Sequence, residues 1–368
     1  MIQQNTVRVK NNASVATKLN CGEFSSVFEL QTTDNNVILP TEVKWSLLGS
    51  VHKPVVVILG GISANRYVGY GEESSPAFVS ENNTSVSNKT RLKGWWEDFI
   101  GSQGAINLEK YSVLSFDYIG GNTTYSQENN SQANHHNDSK TEYSQLQKVE
   151  TLPITTYDQA EALNRILSQL NINTVHAIIG SSYGGMVSLA FSEKYPDKVK
   201  QQLVISAAAE SHQRSRALRS IQRQIVKLSH QYNDVETGLA LARQLGMITY
   251  RSIEEFEQRF SGADVEKNKL TDYLSFHGSK FARSFNASAF LTLSESIDNH
   301  RIDASNITTE TTLVSVDTDE LVFQSQIEAL AQSISAKTQH HKIHSLYGHD
   351  AFLKEVSQLS KIIQNFLE

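Results

Sequence analysis

The chain has 368 residues, a net charge of −6 at pH 7 and 39% hydrophobic residues, enough for about two domains or one large α/β domain with an insertion. The acidic balance, with no basic tail or stripe, argues against a nucleic-acid partner, and no run of roughly 18 or more apolar residues is present to span a membrane. One cysteine, Cys21, excludes an internal disulfide, and the polar start Met1-Ile2-Gln3-Gln4-Asn5 lacks the charged and apolar regions of a signal peptide; a cytoplasmic enzyme is the expectation.

Residues 23 to 60 alternate between strand-like and turn-like stretches. Val43–Gly49 alternates in the manner of a half-exposed strand, and Val55–Leu59 is a continuous apolar run that reads as a central strand. It ends in Gly60-Gly61-Ile62-Ser63-Ala64, a turn whose glycines let a backbone N–H approach a reacting carbonyl. Lys93–Ile100 reads as the start of a short amphipathic helix, with Trp95 and Trp96 as core or pocket wall. Tyr111–Asp117 is another strand. Tyr118-Ile119-Gly120-Gly121 then opens a polar stretch to about residue 148. His135 and His136 lie in it without acidic or Cys partners at ligand spacing, so a solvated loop is expected there and no metal.

A helix is expected from Thr155 and Thr156 to about Leu170, a buried strand over Thr174–Ile179, a helix from Met186 to Tyr195 stopped near Pro196, and a strand over Gln202–Ser206. This alternation predicts a mostly parallel central sheet with helices on both faces. The pattern changes from about Glu210 to His300, which reads as consecutive helices with no central strand. We expect residues 210–300 to form a helical lid inserted in an α/β core of residues 1–209 and 301–368. Leu313–Asp317 returns to a strand, a helix follows around Ser325–Ser335, Lys342–Leu346 is the last strand and Asp350–Leu367 the last helix.

The stretch that carries chemistry is Gly180-Ser181-Ser182-Tyr183-Gly184-Gly185. Strand, G-x-S-x-G and helix together form the context of a nucleophile elbow, in which the middle serine is thrust out at the end of a sheet. Gly180 and Gly184 supply the small residues two before and two after, so the nucleophile is Ser182. A serine hydroxyl needs a base, and the base an orienting acid. His349, in Tyr347-Gly348-His349-Asp350, lies just after the last strand; His341 and His344 fall before or within it. Asp317, Asp319 and Glu320 all follow the preceding strand, and Asp319 is favoured because Asp317 can still belong to the strand.

From here the sequence resembles the homoserine O-acyltransferases of the α/β-hydrolase superfamily, which work in methionine biosynthesis. The resemblance runs through Lys93-Gly94-Trp95-Trp96, Asp117-Tyr118-Ile119-Gly120-Gly121, Gln222-Arg223-Gln224, Ile248-Thr249-Tyr250-Arg251-Ser252, Asp298 with His300, and Tyr347-Gly348-His349-Asp350-Ala351-Phe352-Leu353. It implies an α/β-hydrolase fold with Ser182 as nucleophile, Asp319 as acid and His349 as base. It implies Arg223 as the residue that grips the carboxylate of an amino-acid acceptor, with Asp350 also on the substrate. The oxyanion hole falls to the backbone N–H of Tyr183 and of Gly61 or Ile62. The loop Gly60–Arg66 departs from the family's usual His-Ala-Leu pattern, which leaves the second donor bracketed.

The implied reaction is a two-step transfer from acyl-CoA to L-homoserine with no bound cofactor, and a homodimer through the lid helices. The acyl group is acetyl or succinyl. A succinyl carboxylate must not be buried unpaired, so a cation near the acyl pocket is required, and Arg66 is the candidate; contact with a CoA phosphate or with solvent is its other reading. A serine acceptor, an esterase or thioesterase, and a non-catalytic binding protein are the alternatives.

Overall fold

The computed structural model describes residues 22–69, 94–124, 149–261 and 269–368. Cys21, Lys93, His135 and His136 lie outside these residues, as does the polar stretch from 125 to 148. The described part is built on an eight-stranded sheet in the order β1-β2-β4-β3-β5-β6-β7-β8. Its strands are β1 (Gly22–Gln31), β2 (Ile38–Leu48), β3 (Val55–Leu59), β4 (Ser112–Phe116), β5 (Ala177–Ser181), β6 (Gln201–Ile205), β7 (Glu310–Val316) and β8 (Thr338–Ile343). β1 and β2 pair antiparallel, as do β2 and β4, and every other pairing is parallel.

The central strands explain themselves by composition. β3, β4 and β5 are buried at every position, which suits apolar, β-branched runs covered on both faces. α1 (Thr156–Gln169) starts at Thr155, whose side chain and that of Asp158 form a capping box, and buries Ala160, Leu163, Ile166 and Leu167. α2 (Tyr183–Lys194) is buried over its first ten residues, Tyr183 to Ser192. It therefore lies inside the molecule and holds the residue before it rigidly.

Between β6 and β7 come α3 (Gln213–Gln231), α4 (Val235–Tyr250), α5 (Ile253–Phe260), α6 (Lys269–Ser284) and α7 (Ala287–Asn299). This block has a buried cluster of its own, including Val226, Leu239, Phe285, Phe290 and Leu291. The chain leaves and re-enters the sheet layer at a bridge between Glu210 and Arg301. α8 (Gln324–Ser333) links β7 to β8, and α9 (Ala351–Lys354) and α10 (Val356–Leu367) close the chain.

Three local expectations need correction. The segment around Trp95 and Trp96 gives only a 3-10 turn, Glu97–Phe99, because Ile100 is extended and Gly101 has φ +149°. The last strand runs Thr338–Ile343 rather than Lys342–Leu346. It is an edge strand, where polar residues are at home, so it lacks the apolar run that marks an interior strand. His341 lies inside it, while His344 lies just beyond. Finally, the expected last helix is broken at Glu355, whose backbone (φ −85°, ψ 55°) is not helical.

Candidate active site

The order of the strands places the ends of β3 and β5 side by side at the point where the chain's progression across the sheet reverses. Ligand crevices in open α/β sheets form at such a place, outside the carboxyl ends of the strands. The loops after β3, β5, β7 and β8 bring Gly61, Ser182, Asp319 and His349 to this end.

Ser182 joins β5 to α2 with φ 53° and ψ −122°, a left-handed backbone that L-residues rarely adopt. The turn holds because its neighbours are glycine. A Cβ on Gly180 would stand 2.4 Å from the Gly184 carbonyl oxygen, and one on Gly184 would stand 2.3 Å from the Leu59 backbone. The Ser182 N–H donates to the Ile205 carbonyl at 2.9 Å.

The Ser182 hydroxyl lies 2.8 Å from His349 Nε2, and His349 Nδ1 lies 2.7 Å from Asp319 Oδ2. Asp319 is fixed by its other oxygen, which accepts from the Leu321 and Val322 N–H groups at 2.8 and 3.0 Å. Burial pulls the His349 imidazole towards the neutral form, but the charge and hydrogen bond of Asp319 outweigh it, with Asp350 adding; the net shift is upward from 6.5. The chain-order alternatives separate here. Asp317 pairs with His344 at 2.6 Å, but that histidine is 78% exposed and has no serine behind it. Glu320 faces Arg214 at 3.2 Å.

The backbone N–H groups of Gly61, Ile62 and Tyr183 have no acceptor among the described residues. Tyr183 is the first residue of α2, where the N–H has no partner inside the helix. Gly60 gives its carbonyl to Gly184 N–H at 2.9 Å, and Gly61 gives its carbonyl to Ala64 N–H at 2.9 Å.

Arg223 lies on α3 and reaches Asp298 on α7 at 2.6 Å, and also the Ser294 hydroxyl and carbonyl at 3.0 and 3.1 Å. Arg219, one turn earlier on α3, is not on the surface: its side chain is 14% exposed and its Nε meets the same Asp298 at 2.6 Å. Its Nη2 is buried with no hydrogen-bond acceptor among the described residues. Two guanidinium groups thus share one carboxylate. Arg219 also acts on His349, whose imidazolium its charge disfavours. The i, i+4 spacing of Arg219 and Arg223 on one helix face was the available sequence signal. Asp350 pairs with Arg251 at 3.3 Å.

Arg66 does not offer the cation expected of it. Its guanidinium meets Asp117 at 2.5 Å, its N–H donates to the same carboxylate at 2.8 Å, and the side chain is 10% exposed. The charge is already matched, for Asp117 stands at the end of β4 directly beneath the loop. Among the described residues no group of His, Cys, Asp and Glu is arranged to hold a metal ion, and no helix is long and apolar enough to cross a membrane.

Residues 54–356 match the family described as alpha/beta hydrolase fold. A homoserine O-succinyltransferase of Xanthomonas campestris pv. campestris is 30% identical over 330 residues, which cover 88% of this chain and 78% of the relative. A homoserine O-acetyltransferase of Thermus thermophilus is 32% identical over 288 residues, 75% of this chain and 72% of the relative. The crystal structure of homoserine O-acetyltransferase from Staphylococcus aureus aligns with a TM-score of 0.73 over 95% of this chain and 96% of that one; at 24% identity it speaks to the fold alone.

The His349 shift has a sign that can be measured. An imidazole with a raised folded-state pKa stabilises the fold below the unfolded value and loses that contribution as pH rises through the folded value. An NMR titration of His349 is expected to give a midpoint above 6.5, and Asp319→Asn is expected to move it down. A midpoint unchanged by Asp319→Asn contradicts this.

Proposed function

This chain belongs to the homoserine O-acyltransferase family, on the α/β-hydrolase fold, and we propose that it transfers an acyl group from acyl-CoA to the hydroxyl of L-homoserine through an acyl-Ser182 intermediate. The observation that carries the reading is the run of hydrogen bonds from Ser182 through His349 to Asp319 at the mouth of the sheet. His349 takes the Ser182 proton as Oγ attacks the thioester carbonyl. The negative charge on that oxygen is met by the Tyr183 N–H and by that of Gly61 or Ile62, which have no acceptor among the described residues. The C–S bond breaks and CoA leaves with the proton. His349 then takes the proton of the homoserine hydroxyl as its oxygen attacks the acyl-enzyme, and returns it to Ser182. The helical block of residues 210–300 acts as the lid that keeps water from the intermediate. The product is an activated homoserine ester, in keeping with a cytoplasmic role in methionine biosynthesis.

Arg223 takes the acceptor carboxylate, since two arginines against one Asp298 leave a net positive charge beside the site. Succinyl-CoA is the preferred donor. The Xanthomonas relative supports this, and so does Arg219, whose buried Nη2 is a cationic donor for a second carboxylate. Arg219 therefore replaces Arg66 in that role. The molecule is a homodimer in this reading: Leu228, Ile248 and Phe276 of the helical block are 50% to 63% exposed, and a second copy covers them. A monomer in sedimentation at micromolar concentration removes that claim.

The test is a matrix of acetyl-CoA and succinyl-CoA against homoserine and serine, following free CoA. Release is expected with homoserine, fastest with succinyl-CoA. Ser182→Ala is expected to lower turnover by roughly four orders of magnitude. Release that does not depend on an amino-acid acceptor identifies a thioesterase instead, and a fluorophosphonate that fails to label Ser182 identifies a binding protein.

Loss of one charged hydrogen bond costs about 1.5–3 kcal/mol, roughly a tenfold to hundredfold change. Arg223→Ala is expected to raise the KM for homoserine by about that factor while leaving the burst of CoA release unchanged. Arg219→Leu is expected to lower kcat/KM for succinyl-CoA by a similar factor and to spare acetyl-CoA. Equal losses with both donors contradict the assignment of Arg219.

A further inference from the structure

The dipeptide Asp117-Tyr118 at the end of β4 is part of the family resemblance but has no place in the steps above. Its two side chains reach the two ends of the loop after β3. Tyr118 donates its phenolic O–H to the Gly60 carbonyl at 2.7 Å. Asp117 accepts from the Arg66 N–H at 2.8 Å and from the Arg66 guanidinium at 2.5 Å. Between these anchors lie Gly61 and Ile62.

We propose that Tyr118 is a positioning residue for the oxyanion hole: with Asp117 it clamps the loop of residues 60–66 at both ends and fixes the direction of the amides that meet the developing oxyanion. The inference rests on the reading of Ser182 as nucleophile.

The geometry is that of a single peptide held from one side. No described residue has a cis peptide bond, so the Gly61 N–H points opposite to the Gly60 carbonyl. That carbonyl has two donors, the Tyr118 hydroxyl and the Gly184 N–H at 2.9 Å. The next carbonyl, of Gly61, is turned to Ala64. Both carbonyls are therefore engaged, and the N–H groups of Gly61 and Ile62 are left with no acceptor among the described residues.

Tyr118 is itself immobile. It is 3% exposed, and its ring stands edge-on to Phe116 at 5.7 Å and to Tyr183 at 4.9 Å. Burial pushes its phenol pKa well up, with Tyr183 adding, so the group stays a donor. The Tyr183 hydroxyl continues the network to Ser296 on α7 at 2.8 Å and to Gln159 at 3.4 Å. Tyr183 is the residue whose own N–H serves the other half of the hole. The two oxyanion donors are thus braced against one another through a pair of tyrosine rings.

The loop also has a reason to need bracing. Gly60 must be glycine, since a Cβ there would stand 2.5 Å from Ala64 Cβ and 2.7 Å from the Trp95 ring. Around Gly61 there is space, with only Phe352 at 3.9 Å from an added Cβ. Two successive glycines leave the backbone many conformations, and a preorganised hole needs one.

The experiment compares wild type with Tyr118→Phe, which keeps both ring contacts and removes only the hydroxyl. Loss of a whole oxyanion donor costs about a hundredfold or more in kcat; loosening the loop that carries one is expected to cost about tenfold in the single-turnover acylation rate, with KM for the acyl-CoA within about twofold. A trifluoromethyl ketone that forms a hemiketal with Ser182 reads the hole directly, and its affinity is expected to fall by the same factor as the acylation rate. Asp117→Asn, at the other end of the clamp, is expected to move both readouts in the same direction. A lower melting temperature with unchanged acylation rate and ketone affinity would falsify the positioning role and leave Tyr118 a packing residue. A wild-type protein that forms no hemiketal at Ser182 overturns the nucleophile assignment, and the inference with it.

Discussion

The backbone of Ser182 is the constraint on which the site depends. Its left-handed conformation turns Oγ out of the sheet towards His349, and it is tolerated because α2 and β5 are buried on either side of it. A residue held in a sparsely populated region of φ and ψ costs of order 1–3 kcal/mol and persists only when its surroundings over-determine it. Here they do. The Ser182 N–H is tied to β6 through Ile205, and Gly184 is pressed against Leu59 and tied to Gly60. The strain sits where a fixed direction for one oxygen is useful.

The electrostatics of the site divide along the same lines. Asp319 accepts from two amides with one oxygen and faces one imidazole with the other, so its charge is directed at His349. Asp298 stands between Arg219 and Arg223, one carboxylate against two guanidinium groups. One cluster is closed and tunes a base. The other sets two cations against one carboxylate, which in the proposed reading suits it to the anionic groups of the substrates. Arg66 belongs to the closed kind, matched by Asp117 in the interior.

Much of the frame was legible in the sequence because its signals are local. Apolar runs marked β3, β4 and β5, and the two glycines around Ser182 announced the turn. The spacing after β7 and β8 named Asp319 and His349 as candidates; the structure brings Asp319 to hydrogen-bond distance of His349, and His349 to hydrogen-bond distance of Ser182. Where the reading failed, the missing information was tertiary. Nothing near Arg66 in the sequence says that Asp117 lies beneath it. Nothing near Arg219 says that α7 crosses α3 and buries it. The strand Thr338–Ile343 carries no apolar pattern, because an edge strand has no need of one. The contact of the Tyr118 hydroxyl is not legible in the sequence, since its partner is a backbone carbonyl 58 positions away.

That edge strand bears on how copies of the molecule can meet. β8 carries Gln339, His340, His341 and Lys342 in succession, with Lys342 held by Glu328 at 2.6 Å. Unpaired backbone groups along a sheet margin invite another strand to add, and polar, cationic side chains there oppose it. Growth of the sheet from one molecule into the next is thereby discouraged on this side. In the proposed reading, association between copies and closure over the mouth of the site then draw on the same group of helices, those between β6 and β7, where Leu228, Ile248 and Phe276 are exposed.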